Sequence, residues 1–299
     1  MIDYPEAAAP LAALTPQFDF FVGIDSDGCV FDSMEVKHKE CFIPNIIKYW
    51  DLQPVSRFAR EAAEFVNLYS RWRGVNRFPG LVLVFDLLRE RPEVVARGVE
   101  IPEAPRLRAF TTSAYPQSNE GLEAFMAAEG SAPDLERALA WSHGVNAFVA
   151  DIVRGVPPFP FVRESLALMQ AQADLVVVSA TPAEALTREW REHGIAPYVR
   201  AIAGQEMGKK AQHLTLAAAG KYEPGRILMI GDAPGDLKAA RAVDALFYPI
   251  NAGDETACWE WFFREAFARF IAGTYAGDYE AGLISTFEAG LPETPPWIS

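Results

Sequence analysis

The chain has 299 residues, half of them apolar or aromatic and 22% charged, and 27 basic against 40 acidic residues leave a net charge of −13. That composition supports a packed core over about two domains and excludes a disordered or low-complexity chain. The acidic balance argues against a nucleic-acid-binding surface and against attraction to an anionic membrane. Three cysteines, Cys29, Cys41 and Cys258, make neither a disulfide framework nor a zinc knuckle, which fits a reducing compartment. The N-terminus, MIDYPEAAAPLAALTPQFD, carries acids where a signal peptide needs positive charge, and no run approaches about 18 apolar residues. A soluble, cytoplasmic protein without a membrane partner is expected.

In chain order, the first strong element is FDFFVGID (18–25), an almost continuous apolar run closed by an acid. DLVVVSA (174–180), RILMIGD (226–232) and DALFYPI (244–250) share that form, with VRAIAG (199–204) a weaker example. Such runs predict strands buried on both faces of a parallel sheet. Helical segments are predicted between them, over 161–173, 182–194, 207–220 and 234–243. Strand and helix in alternation give the predicted fold class: an α/β, doubly wound, Rossmann-like core.

Residues 34–158 interrupt that alternation. They show helical periodicity, as in Ala62, Phe65, Val66 and Tyr69 or in Leu135, Ala138, Leu139 and Ser142, and no buried-strand run. The stretch is too long for a loop, so an all-helical cap domain is expected there, inserted between core segments 1–33 and 159–299. GVPPFP (155–160) is Pro-rich and suits its exit hinge. The C-terminal extension, 251–299, carries Trp259, Trp261, Phe262, Phe263, Phe267 and Phe270 at helical spacing, which predicts packing rather than chemistry.

Open α/β sheets bind ligands beyond the carboxyl ends of their strands. At those ends stand Asp25-Ser26-Asp27-Gly28-Cys29-Val30-Phe31-Asp32-Ser33, then Ser179-Ala180-Thr181, then Gly231-Asp232-Ala233-Pro234-Gly235-Asp236, with Gly208-Lys209-Lys210 opening a crossover helix. Any one acid could simply cap a helix. Several carboxylates brought to one sheet edge repel each other, and a divalent cation with oxygen ligands relieves this, Mg²⁺ suiting best. The four histidines have no paired ligand spacing, and GxGxxG, GxxxxGK[ST] and HExxH are absent.

DSDGCVFDS resembles the first motif, DxDGxxxDS, of the haloacid-dehalogenase-like hydrolase superfamily. VVVSA, GKK and GDAPGD are similar to its second, third and fourth motifs, in order, across roughly 18–32 and 159–250. The insertion after the first motif matches members with a helical cap, the β-phosphoglucomutase-like branch among them. The resemblance implies Asp25 as nucleophile, carrying an aspartyl-phosphate, and Asp27 as acid and base. It implies Mg²⁺ on Asp25, the Asp27 carbonyl and Asp232, with Asp236 holding the metal's waters. Ser179 and Ala180 would bind the phosphoryl oxygens and Lys209 would neutralise them; Lys209 is chosen over Lys210 because it directly follows Gly208. An Asp at position 27 separates phosphoryl transfer from the dehalogenase and phosphonatase branches, and Cys29 stands where Thr is more usual. In the cap, RWRGVNRFPGL (71–81) is similar to a substrate-specificity loop, which would bring Arg77 to the distal part of the substrate; a solvated basic turn is the alternative. The expected activity is a phosphatase acting on a small phosphorylated metabolite. A phosphomutase returning the phosphoryl group to another hydroxyl, and a non-catalytic binding protein, are the alternatives. Self-association is not predicted.

Overall fold

The apolar runs pair into one parallel, five-stranded sheet in the order β3-β2-β1-β4-β5, with β1 at Phe20–Ile24, β2 at Ala173–Val178, β3 at Ala201–Ala203, β4 at Ile227–Gly231 and β5 at Leu246–Pro249. The computed structural model describes residues 4–298. Central β1 is in register with both neighbours, Val22 facing Leu175 on one side and Leu228 on the other. The chain winds outward to β3, then crosses back over β1 to β4. The strand order therefore reverses beside β1, and the carboxyl ends at such a point are where open α/β sheets bind ligands.

Side chains alternate across the sheet, so β1, β2 and β4 are apolar on both faces. Val22, Ile24, Leu175, Val177, Leu228 and Ile230 pack on one side, under the helix Val162–Gln170. Phe21, Val176, Val178 and Met229 pack on the other, with Leu214 and Ala217 of the helix Lys210–Ala217 and Ala239 and Ala240 of Pro234–Arg241. Each such fully buried aliphatic side chain contributes about 1.5–3 kcal/mol relative to exposure, which is why strands this short suffice.

The C-terminal extension belongs to this core. Trp259, Phe262, Phe267 and Phe270 are buried in the first of the two layers, as a packing role for the aromatic stripe requires. Two further side chains cover edge strand β5: the Glu280 carboxylate accepts from the Phe247 N–H at 2.9 Å, and the Tyr275 hydroxyl donates to the Phe247 carbonyl at 2.7 Å. Backbone groups that a sixth strand would have used are thus satisfied.

The chain divides into two compact units. One comprises residues 4–33 and Gly155–Leu291, the other Met34–Arg154 and residues 292–298. The second unit has no strand among its described residues; its helices include Ser56–Leu68, Arg77–Glu90, Asn119–Glu129 and Pro133–Ile152. Residues 292–298, expected with the core, fall in this unit instead. Trp297 packs on Phe65 and on the Arg91 guanidinium, and Arg71 pairs with Glu293. No helix among the described residues is long and apolar enough to cross a membrane.

Candidate active site

Asp25 is the residue after β1, its N–H continuing the ladder to the Ile230 carbonyl at 2.9 Å. Beyond it the chain turns sharply. The Ser26 carbonyl accepts from the N–H groups of Val30 and Phe31 at 2.8 and 3.1 Å, and Gly28 adopts φ +78°, a left-handed conformation that favours glycine. Indole N–H groups fix the turn from below, Trp190 donating to Ser26 Oγ at 3.0 Å and Trp259 to the Cys29 carbonyl at 2.7 Å.

Asp232 follows β4, and Asp236 lies in the first turn of the helix Pro234–Arg241. Gly231 permits the close fit between them: a Cβ there would sit 2.4 Å from Asp236 Cβ. Asp25, Asp232 and Asp236 are all buried and bring one carboxylate oxygen each within 4.8 Å of one another. Lys210 meets this cluster, its Nζ 2.7 Å from Asp25 Oδ2 and 2.6 Å from Asp236 Oδ1. With every group ionised, three carboxylates and one ammonium leave two negative charges. A divalent cation on oxygen ligands fits that donor set.

The charges perturb one another as burial demands. Desolvation, reinforced by the Asp25 charge and opposed by Lys210, pushes the Asp236 carboxyl up to about 6. Desolvation works against the Lys210 ammonium, but Asp236, Asp25 and Asp232 overcome it and hold the group above the usual lysine range. Burial, with the same three carboxylates adding, raises the Cys29 thiol well above its ordinary value, so this cysteine stays protonated and inert.

Asp27 lies at the rim of the turn. Thr181 Oγ1 donates to its Oδ2 at 2.6 Å, and Ser33 Oγ donates to its Oδ1. Ser179, the residue after β2, is buried, and its Oγ accepts the Thr181 N–H at 3.2 Å; Ala180 is exposed beside it.

No family model matches the chain, and no curated protein does. Solved structures do. A haloacid dehalogenase-like family hydrolase from Xanthomonas campestris is similar over 87% of this chain and 96% of its own, at 14% identity and a TM-score of 0.46. A HAD-superfamily hydrolase, subfamily IA, variant 1, from Geobacter sulfurreducens covers 79% of this chain and 90% of its own at 17% identity, TM-score 0.41. A predicted phosphoglycolate phosphatase from Haemophilus somnus covers 80% and 87%, at 17% identity and TM-score 0.40. At such distances, chemistry has to be read from the side chains themselves.

Two sequence expectations change here. Lys210, not Lys209, meets the carboxylates. Gly208 takes φ +115° and Lys209 an extended N-cap conformation before the helix Lys210–Ala217, which leaves Lys209 exposed and turns the next residue inward. Arg77, expected to meet a substrate, is engaged within the second unit. Its Nη1 donates to Ser142 Oγ at 2.9 Å and to Asn146 Oδ1 at 2.7 Å, and its guanidinium stacks over Phe42 at 5.1 Å. Burial lowers the Arg77 pKa to about 10. Thr181 and Ser33, which the strand-end motifs contain without implying a role for them, both bind Asp27. Their signal was a hydroxyl residue two positions beyond Ser179 and another closing the first motif.

Proposed function

We propose that the chain is a Mg²⁺-dependent phosphatase that hydrolyses a small phosphorylated metabolite through a phosphoryl group carried on Asp25. The observation that carries this reading is the buried Asp25, Asp232 and Asp236 cluster with Lys210 at its edge, at the point where the strand order reverses. Three of the four motif resemblances fall on these strand ends, and the third opens the helix that carries Lys210.

Asp25, the Asp27 carbonyl and Asp232 would hold Mg²⁺, which when bound offsets the repulsion between an anionic nucleophile and an anionic phosphoryl group. An Asp25 carboxylate oxygen attacks phosphorus in line, so that one difficult hydrolysis becomes two easier steps. Asp27 protonates the departing ester oxygen, then takes a proton from the water that releases phosphate. Asp236 keeps its place by spending Oδ1 on Lys210 and Oδ2 on the Ala233 N–H at 3.1 Å. Ser179 and the backbone N–H groups of its loop suit the phosphoryl oxygens, and Lys210 supplies their positive charge.

The test is Asp25→Asn, which keeps the shape but removes the nucleophile and a strong metal ligand. Phosphate release from an aryl phosphate with Mg²⁺ should fall by more than about 1,000-fold, with the circular dichroism spectrum unchanged. Excess EDTA should silence the wild-type protein. Variant activity above a tenth of wild type, or full activity in EDTA, contradicts the reading.

A further inference from the structure

Both carboxylate oxygens of Asp27 are engaged by hydroxyls, one from the buried Ser33 and one from Thr181. Ser33, bonded to Oδ1, opens the four-residue helix Ser33–Val36 and is the last residue of its segment of the first unit. Thr181, bonded to Oδ2, is tied on both sides of its backbone. Its N–H donates to Ser179 Oγ at 3.2 Å, and its carbonyl accepts the Gln205 N–H at 3.1 Å. The absence of a side chain at Gly204 allows this fit, since a Cβ there would lie 2.8 Å from the Thr181 oxygen. A β-branched side chain also has few χ1 rotamers to lose. Thr181 is thus a fixed point, joined on one side to the phosphoryl-binding serine and on the other to the acid–base carboxyl.

We infer that Thr181 is a positioning residue that keeps Asp27 aimed while Asp27 gives up and regains its proton, an inference that rests on the phosphatase reading above. A carboxyl working first as acid and then as base needs one oxygen for the proton and one that stays put. Thr181 holds Oδ2 in both states, because a hydroxyl donates to the unprotonated oxygen of an acid as well as to a carboxylate. Oδ1 then exchanges the proton. In the first half-reaction that proton passes to the ester oxygen as its bond to phosphorus breaks and the Asp25–phosphorus bond forms. In the second, water returns a proton to Oδ1 while its oxygen bonds to phosphorus and the Asp25–phosphorus bond breaks. Ser33 Oγ, both donor and acceptor, fits either state of Oδ1.

Thr181→Val keeps the shape and removes the donor, whereas Thr181→Ser keeps the donor. Both are assayed with Mg²⁺ on p-nitrophenyl phosphate, whose leaving group departs unprotonated, and on glycerol 2-phosphate, whose alkoxide needs a proton. Thr181→Val should lower kcat/KM for glycerol 2-phosphate by about 10–100-fold. On the aryl ester kcat/KM should stay within about threefold while kcat falls, since only the later water step there needs Asp27. Thr181→Ser should restore both. Equal kcat/KM losses on the two esters, no loss on either, or failure of Ser to rescue overturns the role of Thr181 alone. A wild-type protein inert toward both esters and never phosphorylated on Asp25 overturns the phosphatase reading, and this inference with it.

Discussion

Lys210 reaches two carboxylates that would otherwise face each other across a buried site, and its neighbour Lys209 reaches neither. Lys210→Met should therefore cost about 100-fold or more in kcat/KM on an aryl phosphate, comparable to losing a preorganised group at a developing charge. Lys209→Met removes an exposed charge and should cost less than about fivefold. The reverse ranking would return the role to Lys209. His213 lies on the same helix, fully buried. Desolvation, with the Lys210 charge adding, lowers its pKa to about 4. An unfolded chain takes up this proton near pH 6.5, so between 6.5 and 4 acid favours unfolding, and the stability present above pH 6.5 is lost on descent. From pH 7 to pH 5 the loss from this one group is about 2 kcal/mol. Urea titrations of wild type and His213→Gln at both pH values check it; an equal pH dependence in the two proteins contradicts it. Arg77 shows what a loop resemblance leaves out. Its partners, Ser142 and Asn146, lie 65 and 69 residues away in sequence.

Asp174, near the start of β2, anchors an element rather than a reaction. Only 2% exposed, its carboxylate accepts from the Gln17 and Phe18 N–H groups, the Tyr222 hydroxyl and the Arg200 guanidinium. Burial alone would raise its pKa, but these donors outweigh it and hold the carboxyl below the usual range. Asp174→Ala should thus destabilise the protein by about 3 kcal/mol or more, since Arg200 and the two N–H groups lose their acceptor. The measurement is the urea midpoint, and a change below about 1 kcal/mol rejects the anchor. Four strands were plainly legible because parallel strands buried on both faces leave continuous apolar runs, as VVV at 176–178 and ILMI at 227–230 do, and the half-buried edge strand β3 left only a weaker run. The acids at their ends were legible because a strand end fixes where the next residue lies. The lysine was not, since a one-residue choice depends on the backbone at Gly208, which the letters GKK do not encode. Thr181 was also hidden in role, because its partner Asp27 is 154 residues away. Nor does any periodicity show that residues 292–298 pack with the helical unit.

At the scale of the molecule, a chain with a net charge of −13 is read as handling an anionic phosphate ester. The tension is met locally: Lys210 and a divalent cation held by the three carboxylates would together offset their negative charge where the phosphoryl group would sit. The sheet brings these groups together from three separate stretches of sequence, so the site exists only in the folded core. A phosphoryl group on Asp25 can be trapped chemically. The protein is mixed with substrate and Mg²⁺, acid-quenched within milliseconds and reduced with borohydride, which converts an acyl phosphate to the alcohol. Peptide mass spectrometry should then find residue 25 converted to homoserine, in proportion to the burst of released alcohol and only when substrate is present. Steady phosphate release with Asp25 unmodified at every quench time, or with the modification on another carboxylate, would contradict the account.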